Sequence, residues 1–308
     1  MNDLDTKPPE TVVDLRGVTR RFGPTTALDD VSLSVPRGTV FGLVGVNGAG
    51  KTTLIKHVLG LLRAQTGSVR VFGLDPVADP VGVLSKIGYL SEDKDLPDWM
   101  RVDELLHYNR AFYPSWDDRY AEQLRRTFEL DSAKQIKQLS RGQRARAGLL
   151  AALAHRPEIL VLDEPSSGLD PIVRRDILTA IIRTISDEGR TVLFSSHLLE
   201  EVERVSDYVA MIDEGRIVLC DRLEQIKDSF HCLTLRFDAP QSDPPTVPGA
   251  LGWKGADQEW TAVCNGRLEE LQAAAAEAGA RIVGQRVPSL DEIFVARVGR
   301  TCPASDEE

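Results

Sequence analysis

The 308-residue sequence predicts an α/β fold, a largely parallel sheet flanked by helices, with a small α+β appendage at the C-terminal end. Three observations carry this. The apolar run Val40-Phe41-Gly42-Leu43-Val44 passes through Gly45-Val46-Asn47-Gly48-Ala49-Gly50-Lys51-Thr52 into Thr52 to Leu62, a segment with helical periodicity. A second apolar run, Ile159-Leu160-Val161-Leu162, ends in Asp163-Glu164. That places carboxylates at the carboxyl edge of a parallel sheet, where such sheets bind ligands. Composition then shifts around the proline-rich stretch Asp238 to Ala250.

Taken in order, residues 11 to 37 alternate polar and apolar, as in Thr11-Val12-Val13-Asp14-Leu15, and read as antiparallel strands. The turn that follows Val44 has glycine, four residues, then glycine, lysine and a hydroxyl residue. Glycines let backbone N–H groups surround phosphate oxygens, and the start of the next helix adds its positive dipole end. Lys51 can reach the terminal phosphates and the Thr52 hydroxyl can hold Mg²⁺, which predicts a nucleoside triphosphate site. From Tyr89 to Ser140 helical signals dominate, for example Val102 to Arg110 and Arg119 to Leu130. Leu139-Ser140-Arg141-Gly142-Gln143 is a small polar turn that opens an Ala- and Arg-rich helix reaching about His155.

After Asp163-Glu164-Pro165 come Ser166-Ser167-Gly168-Leu169-Asp170, one more helix, and the strand Thr191-Val192-Leu193-Phe194, which ends at Ser195-Ser196-His197. Asp213-Glu214-Gly215 reads as the turn of a hairpin. The four prolines between Asp238 and Ala250 predict a loop or linker. Around it lie strands at Leu233 to Phe237, Trp260 to Cys264 and Arg281 to Val283, with helices from Arg267 to Ala278 and near Ser289 to Val298. Residues past Cys302 are short and acidic, and read as frayed.

Charge narrows the partners. Lys plus Arg number 37 against 47 Asp plus Glu, a net charge of −10, which argues against nonspecific binding to nucleic acid or anionic lipid. Docking to a membrane protein stays open. No stretch approaches the ~20 apolar residues that span a bilayer. The opening Met1-Asn2-Asp3-Leu4-Asp5 has no signal-peptide plan, and Cys220, Cys232, Cys264 and Cys302 show no metal spacing. The reading is a soluble cytoplasmic protein with reduced thiols.

Over roughly residues 11 to 228 the chain resembles the nucleotide-binding subunit of ATP-binding cassette (ABC) transporters, with five motifs in the family's order. The resemblance implies a P-loop NTPase (RecA-like) core with an antiparallel β subdomain and a helical subdomain at about 93–150, all within 1–228; the composition shift and the strand and helix signals beyond it read as a small accessory α+β domain over 229–308. Gly45 to Thr53 look like the Walker A loop, with Phe22 in place of the aromatic residue that stacks on adenine. Leu139 to Gln143 look like the signature motif, Ile159 to Glu164 like Walker B, Ser166 to Asp170 like the D-loop and His197 like the switch histidine. Val46 stands where the family often has Pro, Arg141 where it has Gly, and Glu92 where it has the Q-loop Gln.

What the resemblance implies is ATP hydrolysis by in-line attack of water on the γ-phosphorus. Lys51 and the loop amides would neutralise phosphate charge, Thr52, Glu92 and Asp163 would serve Mg²⁺, and Glu164 would be the general base, with His197 bridging to the γ-phosphate. The structural alternative for Glu92 is a solvated side chain or a pair with Lys94. Ser140, Gly142 and Gln143 would complete the site of a second cassette, identical or not, so two chains would close around two ATP molecules. The closing Pro288-Ser289-Leu290-Asp291-Glu292-Ile293-Phe294 resembles exporter-type cassettes whose permease is a separate polypeptide, which would place this chain on the inner face of the membrane. The aromatic segments Leu96 to Met100 and Phe112 to Trp116 read either as packing of a helical subdomain or as a groove for a permease helix. The competing readings are a soluble cassette ATPase working on ribosomes or DNA and a nonhydrolytic regulatory module.

Overall fold

The computed structural model describes residues 10–93, 95–186 and 189–299. Residues 1–9, Lys94, Cys302 and the acidic tail, on which some of these expectations fall, lie outside the described residues. The chain forms two compact units, one up to Cys220 and the other from Asp221.

In the first unit β1 (Thr11–Phe22) and β2 (Thr25–Pro36) pair antiparallel. Next come β3 (Val40–Val44), α1 (Lys51–Val58) and β4 (Thr66–Val71), the last joining β1 on its other side. Helix α2 (Pro80–Leu84) and β5 (Ile87–Leu90) precede three helices, α3 (Val102–Arg110), α4 (Asp118–Thr127) and α5 (Arg141–Leu153). The chain then alternates through β6 (Ile159–Leu162), α6 (Pro171–Ser186), β7 (Thr191–Ser196) and α7 (Leu199–Val205). It closes with β8 (Tyr208–Asp213) and β9 (Arg216–Arg222).

The main sheet has the order β5-β6-β7-β3-β8-β9, parallel from β5 to β8. Every residue of β3 and β6 is buried, as expected for parallel strands covered on both faces. On one side Phe41, Leu43 and Leu193 pack in a single core with Val13 and Leu15 of the antiparallel sheet and with Leu54 of α1. On the other, Gly42 lies against Val202 of α7.

Helix α1 stops at Val58, four residues short of the Leu62 expected from periodicity. Gly60, at φ 71°, takes the left-handed position; its N–H donates to His57 O (3.1 Å) and the Leu61 N–H to Lys56 O (2.9 Å), which satisfies the last carbonyls. Between β8 and β9 the turn runs through Glu214 and Gly215, both at positive φ, as two-residue hairpin turns require. The aromatic segment divides: Met100 is buried and Tyr113 stacks on His155 at 3.8 Å, while Trp99 and Phe112 are exposed.

The second unit contains α8 (Leu223–Ser229), β10 (Phe230–Gln241), β11 (Ala250–Asn265), α9 (Leu268–Glu277), β12 (Ala280–Arg286) and α10 (Leu290–Val298). Its antiparallel sheet has the order β11-β10-β12, and Leu235, Trp260 and Ala262 pack on Leu271 and Ala275 of α9. Ser289 caps α10: its Oγ accepts from the Glu292 N–H (3.2 Å) and the Glu292 carboxylate accepts from the Ser289 N–H (2.9 Å). The Arg286 guanidinium on the same carboxylate holds Glu292 down at about 2.

Two expectations need correction. The proline-rich stretch is not all loop, because β10 continues through Pro240 to Gln241. Beyond Phe237 it no longer pairs with β12, and its register on β11 jumps from Arg236–Glu259 to Gln241–Asp257, so Pro240 sits where the ladder needs no N–H. The division between units falls at Cys220 and Asp221 rather than after residue 228, since α8 packs on β10 through buried Ile226. No helix among the described residues is long and apolar enough to cross a membrane. Cys232 and Cys264 are buried free thiols, and burial pushes Cys264 up to about 11.

Candidate nucleotide site

Strand register brings the site together. Val44 lies opposite Ser196 of β7 and Met211 of β8, so the chain leaves β3 at Gly45 beside His197 and Ile212. A Cβ on Gly45 would collide with the Ile212 carbonyl oxygen, and one on Gly50 with that of Ala27. Gly50 also has φ 115°, which side chains of L-residues resist. The loop is closed by Ala49 N–H donating to Val46 O (3.1 Å) and pinned from the hairpin turn by Gly215 N–H donating to Ala49 O (2.9 Å). Gly50 gives α1 no side-chain cap. The first amides of that helix are therefore available to an anion.

On the other flank Leu90, Leu162 and Phe194 stand side by side on β5, β6 and β7. One residue further on, the Asp163 N–H donates to Leu90 O (2.9 Å) and the Ser195 hydroxyl donates to Asp163 Oδ1 (2.7 Å). The same hydroxyl accepts from the Glu164 N–H (2.9 Å). Glu164 has φ 46°, a left-handed conformation that costs about 1–2 kcal/mol for a residue with a Cβ. Such strain persists only where neighbours hold it, and here the Ser195 bond and the side-chain contacts of Glu164 do so. Nearby Tyr89 is pushed up to about 12, first by burial and then by the Asp163 carboxylate, so it remains a neutral phenol.

The Lys51 ammonium donates to Gly45 O (2.6 Å) and Val46 O (3.3 Å) and lies 3.0 Å from Glu164 Oε1. His197 takes the other carboxylate oxygen, with Nδ1 at 2.7 Å and its backbone N–H at 3.3 Å. Lys51 and Glu164 side chains are 6% and 4% exposed, so this is a buried ion pair. A buried charge of that kind is stable only while it has a counter-charge.

Beside the pair opens a cavity of about 340 Å³, lined by Asn47, Gly48 and the Gly50 to Thr53 segment with Ala27, Glu92 and Glu164. Of the sequence candidates, Gly45 and Ala49 are buried beneath the loop and Val46 is exposed beside it. Asp163 is buried behind the cavity, and His197 reaches the site through Glu164. Phe22 stands apart at the end of β1, exposed, with the Arg20 guanidinium 4.7 Å over its ring. Ser140 is exposed and caps α5, exchanging bonds with Gln143 (3.2 and 3.1 Å), while Gly142 is buried; none of the three lines the cavity.

Among the described residues no cluster of three or more His, Cys, Asp or Glu could hold a metal ion by itself. The donors present are the Thr52 hydroxyl and the Glu92 carboxylate at the cavity, with Asp163 behind it. That sparse oxygen set fits Mg²⁺, which keeps waters and takes substrate phosphate oxygens rather than filling an all-protein cage.

Sequence reasoning missed Ser195 as the group that bridges Asp163 and Glu164, and missed Glu201, a buried carboxylate on α7. Ser195 was visible only as the approach to His197. Glu201 gave no signal, since its shortest hydroxyl contact, to Ser166 at 2.6 Å, comes from 35 residues away in sequence.

A glycine-lined strand-to-helix loop, its lysine, and a strand-end carboxylate pair on a parallel sheet define a P-loop nucleotide-binding ATPase. The family model described as ABC transporter matches residues 28–167. The daunorubicin/doxorubicin resistance ATP-binding protein DrrA of Streptomyces peucetius is 33% identical over 323 residues, covering 97% of this chain and 95% of its own. The uncharacterized ABC transporter ATP-binding protein YhaQ of Bacillus subtilis is also 33% identical, over 92% of this chain and 97% of its own. A solved ATP-binding subunit of an ABC transporter superposes with a TM-score of 0.65 at 26% identity, covering 70% of this chain and 92% of that one. The chain belongs to the ABC transporter family, as the ATP-binding and ATP-hydrolysing subunit that drives a transporter.

Proposed function

We propose that two copies of this cassette, or this cassette and a close relative, close around two ATP molecules and drive a separate membrane permease from the inner face of the cell membrane. The observation that carries the reading is the separation of the two halves of the site. Ser140 is exposed and stands outside the cavity that holds Lys51, Thr52 and Glu164. A 13-residue helix beginning at exposed Ser140, whose side-chain cap takes only the Gln143 N–H, leaves the Arg141 and Gly142 amides for a phosphate held by another chain. The DrrA relative is named for drug resistance, which supports outward transport.

In the proposed cycle the ATP phosphates take up Lys51, which then leaves Glu164 with His197 as its remaining close partner. Glu164 orients and deprotonates the attacking water, and the α1 amides with Lys51 hold the developing negative charge. Mg²⁺, where bound by Thr52 and Glu92 with Asp163 behind them, would neutralise charge on the phosphate oxygens.

Mixing variants tests the trans arrangement. Ser140→Arg should bind ATP normally yet fail to hydrolyse it, and Lys51→Ala should be inactive for the opposite reason. A heterodimer of the two keeps one intact pairing of loop and signature, so random mixing should restore up to about one quarter of wild-type turnover. Absence of any recovery, or full activity of Ser140→Arg in a strictly monomeric sample, would overturn the proposal.

Glu92 gives a second test. Glu92 lines the cavity with Thr52. It therefore adds a negative charge that a glutamine would lack. Glu92→Gln should raise the Mg²⁺ concentration for half-maximal turnover about 3- to 10-fold while hydrolysis continues. Identical Mg²⁺ titrations for the two proteins would remove Glu92 from the metal site.

A further inference from the structure

Glu201 sits in the first turn of α7 and is 5% exposed. A carboxylate is seldom buried so fully without a counter-charge and hydrogen-bond donors. Its Oε2 accepts from the Ser166 hydroxyl at 2.6 Å and from the Ser196 hydroxyl at 3.3 Å. Its Oε1 lies 3.2 Å from Nε of Arg174. Ser166 opens the loop that follows Glu164, and Ser196 immediately precedes His197. Arg174, on α6, also reaches back to the carbonyl of Leu169 at 3.4 Å. One buried carboxylate thus meets the segments on either side of the reacting carboxylate, and its counter-ion grips the far end of the 166–170 loop.

We propose that Glu201 is a positioning residue for ATP hydrolysis, tying the His197 turn to the Ser166–Asp170 loop so that the two move as one body. This rests on the reading that Glu164 and His197 act on ATP. A shift of His197 toward a phosphate carries Ser196 with it. Through the shared oxygen Oε2, Ser166 must then follow or the bond must break. Loss of the tie leaves the nucleotide cavity intact, since Glu201 does not line it, but lets the 166–170 loop settle independently of His197.

The test is a double-mutant cycle on the full chain, measuring ATP affinity, KM and kcat. Glu201→Gln retains an oxygen that can accept from the serines and removes the charge facing Arg174; Ser166→Ala removes one strand of the tie. Each should lower kcat about 10-fold at unchanged ATP affinity, the size expected for one charge-assisted hydrogen bond. Glu201→Gln/Ser166→Ala should be no slower than the weaker single variant. A structural role alone would lower the melting temperature and the active fraction, with the kcat of the folded protein unchanged. Wild-type kcat in folded Glu201→Gln, or multiplicative losses in the double variant, would overturn the inference. If Glu201→Gln does not fold, Ser166→Ala and Ser196→Ala decide it, singly and together, by the same non-additivity. Glu164→Gln run alongside separates the two levels: if it still turns over, the reading of the site fails; if it is dead while Glu201→Gln is normal, only the tie fails.

Discussion

Glu164→Gln should stop ATP turnover, by about 10²- to 10⁴-fold, while ATP binding survives. The substitution preserves shape and can still accept from the His197 N–H, so it strikes proton abstraction rather than the pocket. It also removes the negative charge that holds Lys51 at 3.0 Å. Lys51 is thereby freed for phosphate, and ATP affinity should be equal to or higher than that of the wild type. Equilibrium nucleotide binding and single-turnover hydrolysis, measured on the same sample, read the two effects separately. Near-normal hydrolysis would remove Glu164 from the role of base.

Lys51→Ala should have the opposite signature. Losing a charge-assisted contact of ~3 kcal/mol predicts about a 100-fold weaker ATP affinity. A stability cost accompanies it, because Glu164 keeps its burial and loses its lysine. Breaking one side of a buried pair typically costs ~3–5 kcal/mol, less here because His197 remains 2.7 Å away. A lower melting temperature together with weak nucleotide binding is the expected pair of results. Unchanged ATP affinity would exclude Lys51 from the phosphate-binding loop.

The parts of the fold written locally were legible before any coordinates. The run Val40 to Val44 reads as a buried strand and is β3; Ile159 to Leu162 is β6; Ser289 with Glu292 marks a helix start and caps α10. Each depends on residues within one element. Where interpretation failed, a neighbour remote in sequence decided the outcome. Pro240 joins a strand because β12 has already ended beside β10, and α8 belongs to the second unit because it packs on β10. The site divides in the same way. Its loop and its two acidic residues lie in short local patterns and His197 follows from the family resemblance, whereas Ser195 and Glu201 have partners more than 30 residues away. No periodicity or spacing encodes such contacts, since sheet register creates them.

That register has a consequence for the order in which the protein acquires its function during synthesis. Residues 45–52 are made early, but the strands that shape them, β7 and β8, are completed only at Ser196 and Asp213, and the Gly215 N–H that pins Ala49 comes after both. A nascent chain therefore carries the whole phosphate-binding sequence long before it has a binding loop. ATP can stabilise the native state only after about residue 215 has left the ribosome, too late to guide assembly of the sheet's earlier strands. Until then the apolar segments of β3, β5 and β6 must wait for their neighbours unaided by ligand, and the chain is most exposed to aggregation in that interval.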